Sequence, residues 1–364
     1  MSKRLLLIIL FPLCLIMFFS CRSQERSINT TADKVKAIKT LGTITSDKDE
    51  NQLMQVLRRI FQDTRGNMWF VGDRVFCYNG DLLIDLSENF AKSTIRQILE
   101  DPKGNIWFGT SEGLTKYNPS EDLKMNTDHF INFRHPNGWT LNDIWSMSLD
   151  RNGDIWLGSL GGVSRFDGEN FSSFPLPESE PDRRRGVTSS KIVHHIMQDR
   201  NGHIWFGTND GVYKYDPKIG IEEPSSLTHI SELNGLCNNS INHILEDKKG
   251  NIWYATHFNG VCFWDGITYT QLTQDAGLND AESWSLFEDS DGRIWFPVEN
   301  SGVYQYDPQT KKLKQYYKSE GLPSGGIHAI FEDKSGMIWL SGFESLYRYG
   351  GESFIRITKN GPWK

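Results

Sequence analysis

The sequence predicts an all-β chain, a single seven-bladed β-propeller of four-stranded antiparallel blades. Three observations predict it: seven tryptophans at near-regular spacing, a turn motif at fixed offsets before each, and apolar runs of strand length between the turns. Trp69, Trp107, Trp156, Trp205, Trp253, Trp295 and Trp339 follow one another at 38, 49, 49, 48, 42 and 44 residues, which is the spacing of an array. Three residues before each stands a glycine (Gly66, Gly104, Gly153, Gly202, Gly250, Gly292, Gly336), and six before each an aspartate (Asp63, Asp101, Asp150, Asp199, Asp247, Asp289, Asp333). The unit is D-x-x-G-x-[IM]-W, and the blades are expected to occupy residues 51–360.

Each unit supplies four short strands. Strand a is the apolar run before the aspartate, such as Ile95 to Leu99 or Ile241 to Leu245. The D-x-x-G segment is a tight turn, its Asp accepting nearby backbone N–H groups and its Gly supplying the positive φ that closes a hairpin loop. Strand b carries the tryptophan, as in Asn105 to Thr110. A second glycine opens strand c (Gly113, Gly162, Gly211, Gly260, Gly302), which ends in an aromatic and a turn former such as Tyr117-Asn118 or Tyr306-Asp307. Strand d is the faintest signal, for example Phe130 to Phe133 or Phe354 to Ile357. A lone meander of this size cannot bury both faces; radial packing solves that, with indoles of about 200 Å² each wedged between neighbours. The segments 119–129, 175–188 and 217–231 read as insertions, and residues 37–45 as an extra outer strand or a strap.

Composition narrows the function. The net charge is −7, and −9 without the first twenty residues, which hold Lys3 and Arg4 and no acid. Such a surface has no general attraction for phosphate backbones, which argues against a nucleic-acid partner. Lys3 and Arg4 followed by the apolar run Leu5 to Phe19 read as an export signal over residues 1–20, too short for a comfortable membrane span. Phe18-Phe19-Ser20-Cys21 resembles the relaxed lipobox of bacterial lipoproteins, which implies cleavage before a lipidated Cys21, a membrane anchor in the cell envelope, and residues 21–50 as a tether; its bulky Phe18 and Phe19 depart from the stricter form, and a simple cleaved signal is the alternative. Beyond Cys14 and Cys21, the odd set Cys77, Cys237 and Cys262 leaves at least one free thiol, and Cys77 and Cys262 at strand positions read as small buried hydrophobes.

The string D-x-x-G-N-I-W-F-G-T-x-x-G-[LV]-x-[KR]-[YF]-[ND] resembles the two-component regulator propeller repeat. The resemblance covers about residues 51–358, with blades 1 and 7 degenerate at Val71-Gly72-Asp73-Arg74 and Ser341-Gly342-Phe343-Glu344. It implies the periplasmic sensor half of a hybrid histidine kinase of Bacteroidetes, here expected without its own kinase.

Chemistry is sought where the repeat does not repeat. Eleven residues before each Trp, at the top of strand a, stand Arg58, Arg96, Trp145, His194, Asn242, Trp284 and His328. Aromatic faces and guanidinium forks at one ring fit a small polar or anionic ligand such as an oligosaccharide. The b-to-c loops add Glu112, Asn209, Asp210, His257, Asn259, Glu299 and Asn300 to the same rim. His194 and His195, adjacent on a strand, are expected on opposite faces and so unable to chelate together. Asp289-Ser290-Asp291-Gly292 has the look of a calcium loop but lacks the twelfth-position glutamate, and no cofactor is expected. Two alternatives stand beside the ligand-binding reading: a scaffold for an envelope protein, and a metal-dependent lyase of the streptogramin lyase type using His257, His328 and Glu344.

Overall fold

The computed structural model describes residues 51–363 except 91–92, 120–128, 181–182, 186–188, 279–280, 323–325 and 344. The signal, Cys21, the tether, the strand proposed at 37–45, most of the insertion 119–129 and Glu344 lie outside the described residues.

Twenty-eight strands form seven separate four-stranded antiparallel sheets, each made of consecutive strands. Blade 1 is β1 (Leu57–Gln62), β2 (Met68–Gly72), β3 (Val75–Tyr78) and β4 (Leu83–Asp85); blade 2 is β5 (Ile95–Glu100), β6 (Ile106–Thr110), β7 (Gly113–Tyr117) and β8 (Phe130–Phe133). Blade 3 is β9 (Ile144–Leu149) to β12 (Phe171–Phe174), blade 4 is β13 (Val193–Gln198) to β16 (Leu227–Ile230), and blade 5 is β17 (Ile241–Glu246) to β20 (Tyr269–Thr270). Blade 6 runs from β21 (Phe287–Glu288) to β24 (Lys312–Tyr316), and blade 7 from β25 (Ile327–Glu332) to β28 (Phe354–Ile357). One expectation fails here: the stretch 217–231 is not all insertion, because Leu227–Ile230 is the outer strand of blade 4.

The D-x-x-G-x-x-W unit is one hydrogen-bonded device. In all seven blades the aspartate Oδ2 accepts the indole N–H of the Trp six residues on, at 2.7–2.9 Å. Its Oδ1 accepts the backbone N–H four residues on, at 2.8–3.0 Å. The glycine between them holds φ of +79° to +94°, a region closed to most side chains. A buried indole that had no partner would leave a polar N–H out of water, so the repeated Asp is what lets a repeated Trp be buried. All seven indoles are at most 4 % exposed.

They lie between blades. Trp69 meets Phe108 and Tyr117 of blade 2 edge-on, both at 5.8 Å, and Trp339 of blade 7 closes the circle on Phe70 of blade 1 at 6.2 Å. Neighbouring backbones come close behind them: a Cβ added to Gly207 in strand b would stand 2.7 Å from Ile241 of the next blade, which accounts for the glycine of the G-T pair. The threonine of that pair ties off the following turn, as Thr208 Oγ1 donates to Gly211 O at 3.0 Å and accepts the Asp210 N–H.

A second interblade bond is also written in the repeat. The N–H of the residue after the Asp donates to a Glu or Gln at the end of the next blade's strand a: Thr64 to Glu100, Arg151 to Gln198, Arg200 to Glu246, Lys248 to Glu288, Ser290 to Glu332 and Lys334 to Gln62, at 2.6–3.0 Å. The seventh joint lacks both halves: Pro102 has no N–H, and Leu149 stands where the acceptor would be.

Closure needs no shared blade. Lys334 Nζ donates to Asp63 O and Thr64 O (2.8 and 3.0 Å), the Lys359 N–H reaches Asn51 O (2.8 Å), and Trp363 at the C-terminal end stacks on Tyr78 of blade 1 at 4.8 Å. Of the three late cysteines Cys77 is free and buried; Cys262 is buried too, but it is disulfide-bonded to Cys237 across 25 residues, tying the loop before blade 5 to its strand c. The spacing of the cysteines gave no sign of this, because the pair is set by where that loop crosses the sheet.

Candidate functional site

Strand a carries a β-bulge at one register in six of the seven blades, between Leu57 and Arg59, Ile95 and Gln97, Ile144 and Ser146, Val193 and His195, Ile241 and His243, and Ile327 and Ala329. The bulged residues are Arg58, Arg96, Trp145, His194, Asn242 and His328, the same positions that vary in sequence. In blade 6 the ladder starts later and Trp284 precedes it. A bulged residue pairs with no partner across the ladder and re-aims its side chain. All seven line one cavity of about 320 Å³ at the axis, with Arg59, Glu282, Glu299 and Phe343.

Within it the groups are wired in pairs. Arg96 forms an ion pair with Asp143 and lies over the Trp145 ring at 4.7 Å, and Trp145 Nε1 donates to Asp143 Oδ2 at 3.0 Å. His194 meets the Trp145 edge at 5.8 Å, and its Nε2 lies 2.9 Å from Asn209 Oδ1, which fits the Nε2–H tautomer. Arg185 Nη2 reaches Asn242 Oδ1 at 2.5 Å, and Asn242 Nδ2 donates to Ser283 O at 2.9 Å. His257 does not line the cavity; it pairs with Glu282 and faces Trp284 at 6.2 Å. His328 sits between two exposed aromatics, Trp284 at 6.5 Å and Phe343 at 4.5 Å.

Burial, reinforced by the Arg58 charge, pushes the His328 pKa down to about 4, and burial with Arg185 holds His194 well below its ordinary value. Arg59 Nε donates to Gln97 Oε1 at 3.2 Å; burial and Arg58 bring it down to about 10.

Of the loop residues, Glu299 joins the cavity. Glu112 pairs instead with Arg134 (3.3 Å), Asp210 takes the Tyr213 hydroxyl (3.2 Å), Asn259 bonds Cys237 O (2.8 Å), and Asn300 turns the b-to-c corner at φ 57°. The two adjacent histidines part company: His194 joins the cavity, while His195 packs ring to ring on His243 of blade 5 at 3.8 Å, near enough to Arg59 to feel its charge. Sequence reasoning missed Arg59, Asp143, Glu282 and Phe343. Asp143 and Glu282 had a signal: each stands two residues before the ring tryptophan of its blade, and each binds a basic group of the blade before. Among the described residues no group of three or more His, Cys, Asp or Glu stands where it could hold a metal ion.

The sequence profile described as two component regulator propeller matches residues 89–112, 186–210, 235–258, 277–296 and 321–344. These five stretches carry the two-component regulator propeller repeat. The matched stretches run from strand a through strand b of blades 2, 4, 5, 6 and 7, and so include the degenerate blade 7. No curated protein matches the chain. Among solved structures, this propeller is similar to the extracellular domain assigned to a hybrid two-component system of B. thetaiotaomicron, at 23 % identity and TM-score 0.66 over 83 % of this chain and 39 % of that one. It spans about two fifths of that domain. The virginiamycin B lyase of Staphylococcus aureus (14 % identity, TM-score 0.60, 80 % and 92 % covered) and PorZ, a surface component of the type-IX secretion system of Porphyromonas gingivalis (13 %, 0.59, 81 % and 47 %), share the fold.

Proposed function

We propose that this two-component regulator propeller is an exported binding or sensing module that takes a small polar ligand, such as a glycan fragment, in its axial cavity. One observation carries the reading: the seven side chains that break the repeat come from seven blades and line a single cavity. The Asp, Gly and Trp registers, whose work is the same in every blade, are uniform, and this one is not. The exposed Trp284 and Phe343 offer faces for a sugar ring, and the Asn, Arg and Glu side chains offer directed hydrogen bonds. Export is supported by the signal-like N-terminus and by the extracellular placement of the B. thetaiotaomicron relative; the lipid anchor at Cys21 belongs to the same proposal.

A protein partner is the second reading. It is favoured by Leu233 and Ile267, 97 % and 88 % exposed, near the groove between the outer strands of blades 4 and 5.

Glycan-array screening followed by calorimetry tests the first. The expected result is binding that Trp284→Ala weakens without lowering the thermal midpoint, since that indole is part-exposed. Binding unchanged in Trp284→Ala and in Asn242→Ala together would remove the cavity from consideration.

A further inference from the structure

The charges around the cavity are unevenly matched, and the excess falls on blade 1. Arg96 is answered by Asp143, and Glu282 by His257. Arg59 spends its Nε on Gln97 and its Nη1 on Arg58 O at 2.9 Å. Arg58 differs from all of these. Its Nε is buried without a hydrogen-bond partner, and among the described residues no carboxylate lies within ion-pair distance of its guanidinium. Asp73 acts on it only through space, while Arg96 across the blade boundary repels it and burial strips its water. A guanidinium cannot shed its charge at ordinary pH, so a half-buried fork without an acceptor is a standing cost to the fold unless something arrives to accept from it.

The other side of the cavity has the opposite character. Glu282 and Glu299 line it from the blade 5 and 6 side, and the Glu299 carboxylate has no side-chain partner among the described residues. Between the two ends stand Trp284, His328 and Phe343. A ligand that fits both ends is anionic at one edge, rich in O–H donors at the other, and flat enough between them to lie on an indole.

We propose that Arg58, with Arg59 behind it, is an anion subsite of the axial cavity that accepts the carboxylate or sulfate of an acidic saccharide, whose hydroxyls donate to Glu299 and Glu282. This rests on the ligand-binding reading above and adds the ligand's charge to it. The guanidinium fork matches two oxygens of either anion, and charge-assisted pairs of this kind are the strong ones.

The test uses the full chain and a panel of saccharides in which each uronide is paired with its methyl ester and each sulfated sugar with its desulfated form. Calorimetry is run on the wild type, Arg58→Gln and Trp284→Ala. The best ligand is expected to be acidic; neutralising it, or making Arg58→Gln, weakens binding by roughly tenfold to a hundredfold, and the two losses do not add. Trp284→Ala weakens acidic and neutral forms alike. Arg58→Gln melts no lower than the wild type, since it removes an unpaired charge and not a structural contact. The uronide and sulfate arms tell which anion is preferred. A neutral partner that binds as well as its acidic form, or an Arg58→Gln protein with undiminished affinity, overturns the anion subsite while leaving the ligand site standing. No binding to any member of the panel, charged or neutral, overturns both.

Discussion

Asp247→Ala removes four hydrogen bonds with one substitution. Asp247 is 2 % exposed; its Oδ1 accepts the N–H groups of Lys249 and Asn251, both at 2.9 Å, and its Oδ2 accepts Trp253 Nε1–H at 2.8 Å and Asn251 Nδ2–H at 2.7 Å. Bonds to a charged acceptor contribute about 1.5–3 kcal/mol each where the donors cannot turn to water, but bonds to one carboxylate are not independent. The Lys249 and Asn251 groups are near solvent and recover much of their loss. The Trp253 indole is fully buried and recovers none. The expected cost is therefore about 3–5 kcal/mol, a large share of the 5–15 kcal/mol that holds an ordinary domain folded. Asp247→Asn keeps the shape and one acceptor, and should cost about half as much. The assay is equilibrium urea unfolding followed by tryptophan fluorescence and by circular dichroism, with Trp253→Phe completing a double-mutant cycle. A coupling of about 1–2 kcal/mol between Asp247→Asn and Trp253→Phe is expected. Asp265, whose Oδ1 accepts the Ile267 and Thr268 N–H groups in an exposed turn, is the control that should matter little. The reasoning is refuted if Asp247→Ala costs less than about 1 kcal/mol at an unchanged m value, or if the cycle shows no coupling.

Two further outcomes follow from the same contacts. His194, His195, His243 and His328 all have folded pKa values below the ordinary 6.5, burial being the largest cause in each, with His328 at about 4 and His195 at about 3. A depressed folded pKa means the unfolded chain takes up protons first, so this stability is whole above about pH 6.5 and is lost as pH falls toward 4 and below, by up to about 1.4 kcal/mol per pH unit for each histidine; the urea midpoint should fall between pH 7 and 5, less steeply in His195→Gln, and a flat profile in the wild type would contradict the burial. At the joint between blades 2 and 3, Pro102→Thr and Leu149→Glu should each be neutral or destabilising alone, yet together restore the bond found at the other six joints, read as a favourable coupling of about 0.5–1.5 kcal/mol in a double-mutant cycle; simple additivity would mean that the repeated bond contributes nothing.

The blades were legible because what fixes them is local. An Asp, a Gly and a Trp within seven residues make their own turn, cap and wedge, so the same letters reappear wherever the same geometry does. The bulge was not legible in that way. It leaves no residue preference of its own, and its trace is that positions 58, 96, 145, 194, 242 and 328 vary where the Asp, Gly and Trp registers do not; variation pointed to the cavity without giving the backbone reason for it. Arg59 was passed over because alternation along a strand places consecutive side chains on opposite faces, a rule that a bulge suspends. Asp143 and Glu282 sit in loops whose path is set by the blades they join, and the Cys237–Cys262 bond and the Trp363 clasp depend on where distant segments cross. No spacing rule reaches contacts of that kind.

The bulge also explains how a ring with such mixed chemistry is compatible with so uniform a fold. A residue in the regular part of strand a must fit the ladder on one side and the interblade core on the other, and substitutions there are felt by both. The bulged residue is excused from the ladder, and its side chain leaves the core for the axis, so Arg, Trp, His and Asn can occupy equivalent places without altering the blades. The cost appears instead as unmatched polarity at the axis, of which the Arg58 guanidinium is the clearest case. Selection for packing alone would have no reason to keep a half-buried, unpaired cation near a second arginine, because an apolar or amide side chain there would be more stable. The proposed anion subsite supplies such a reason, since the Arg58 side chain lines the cavity and a ligand there would give its guanidinium the acceptor the fold does not.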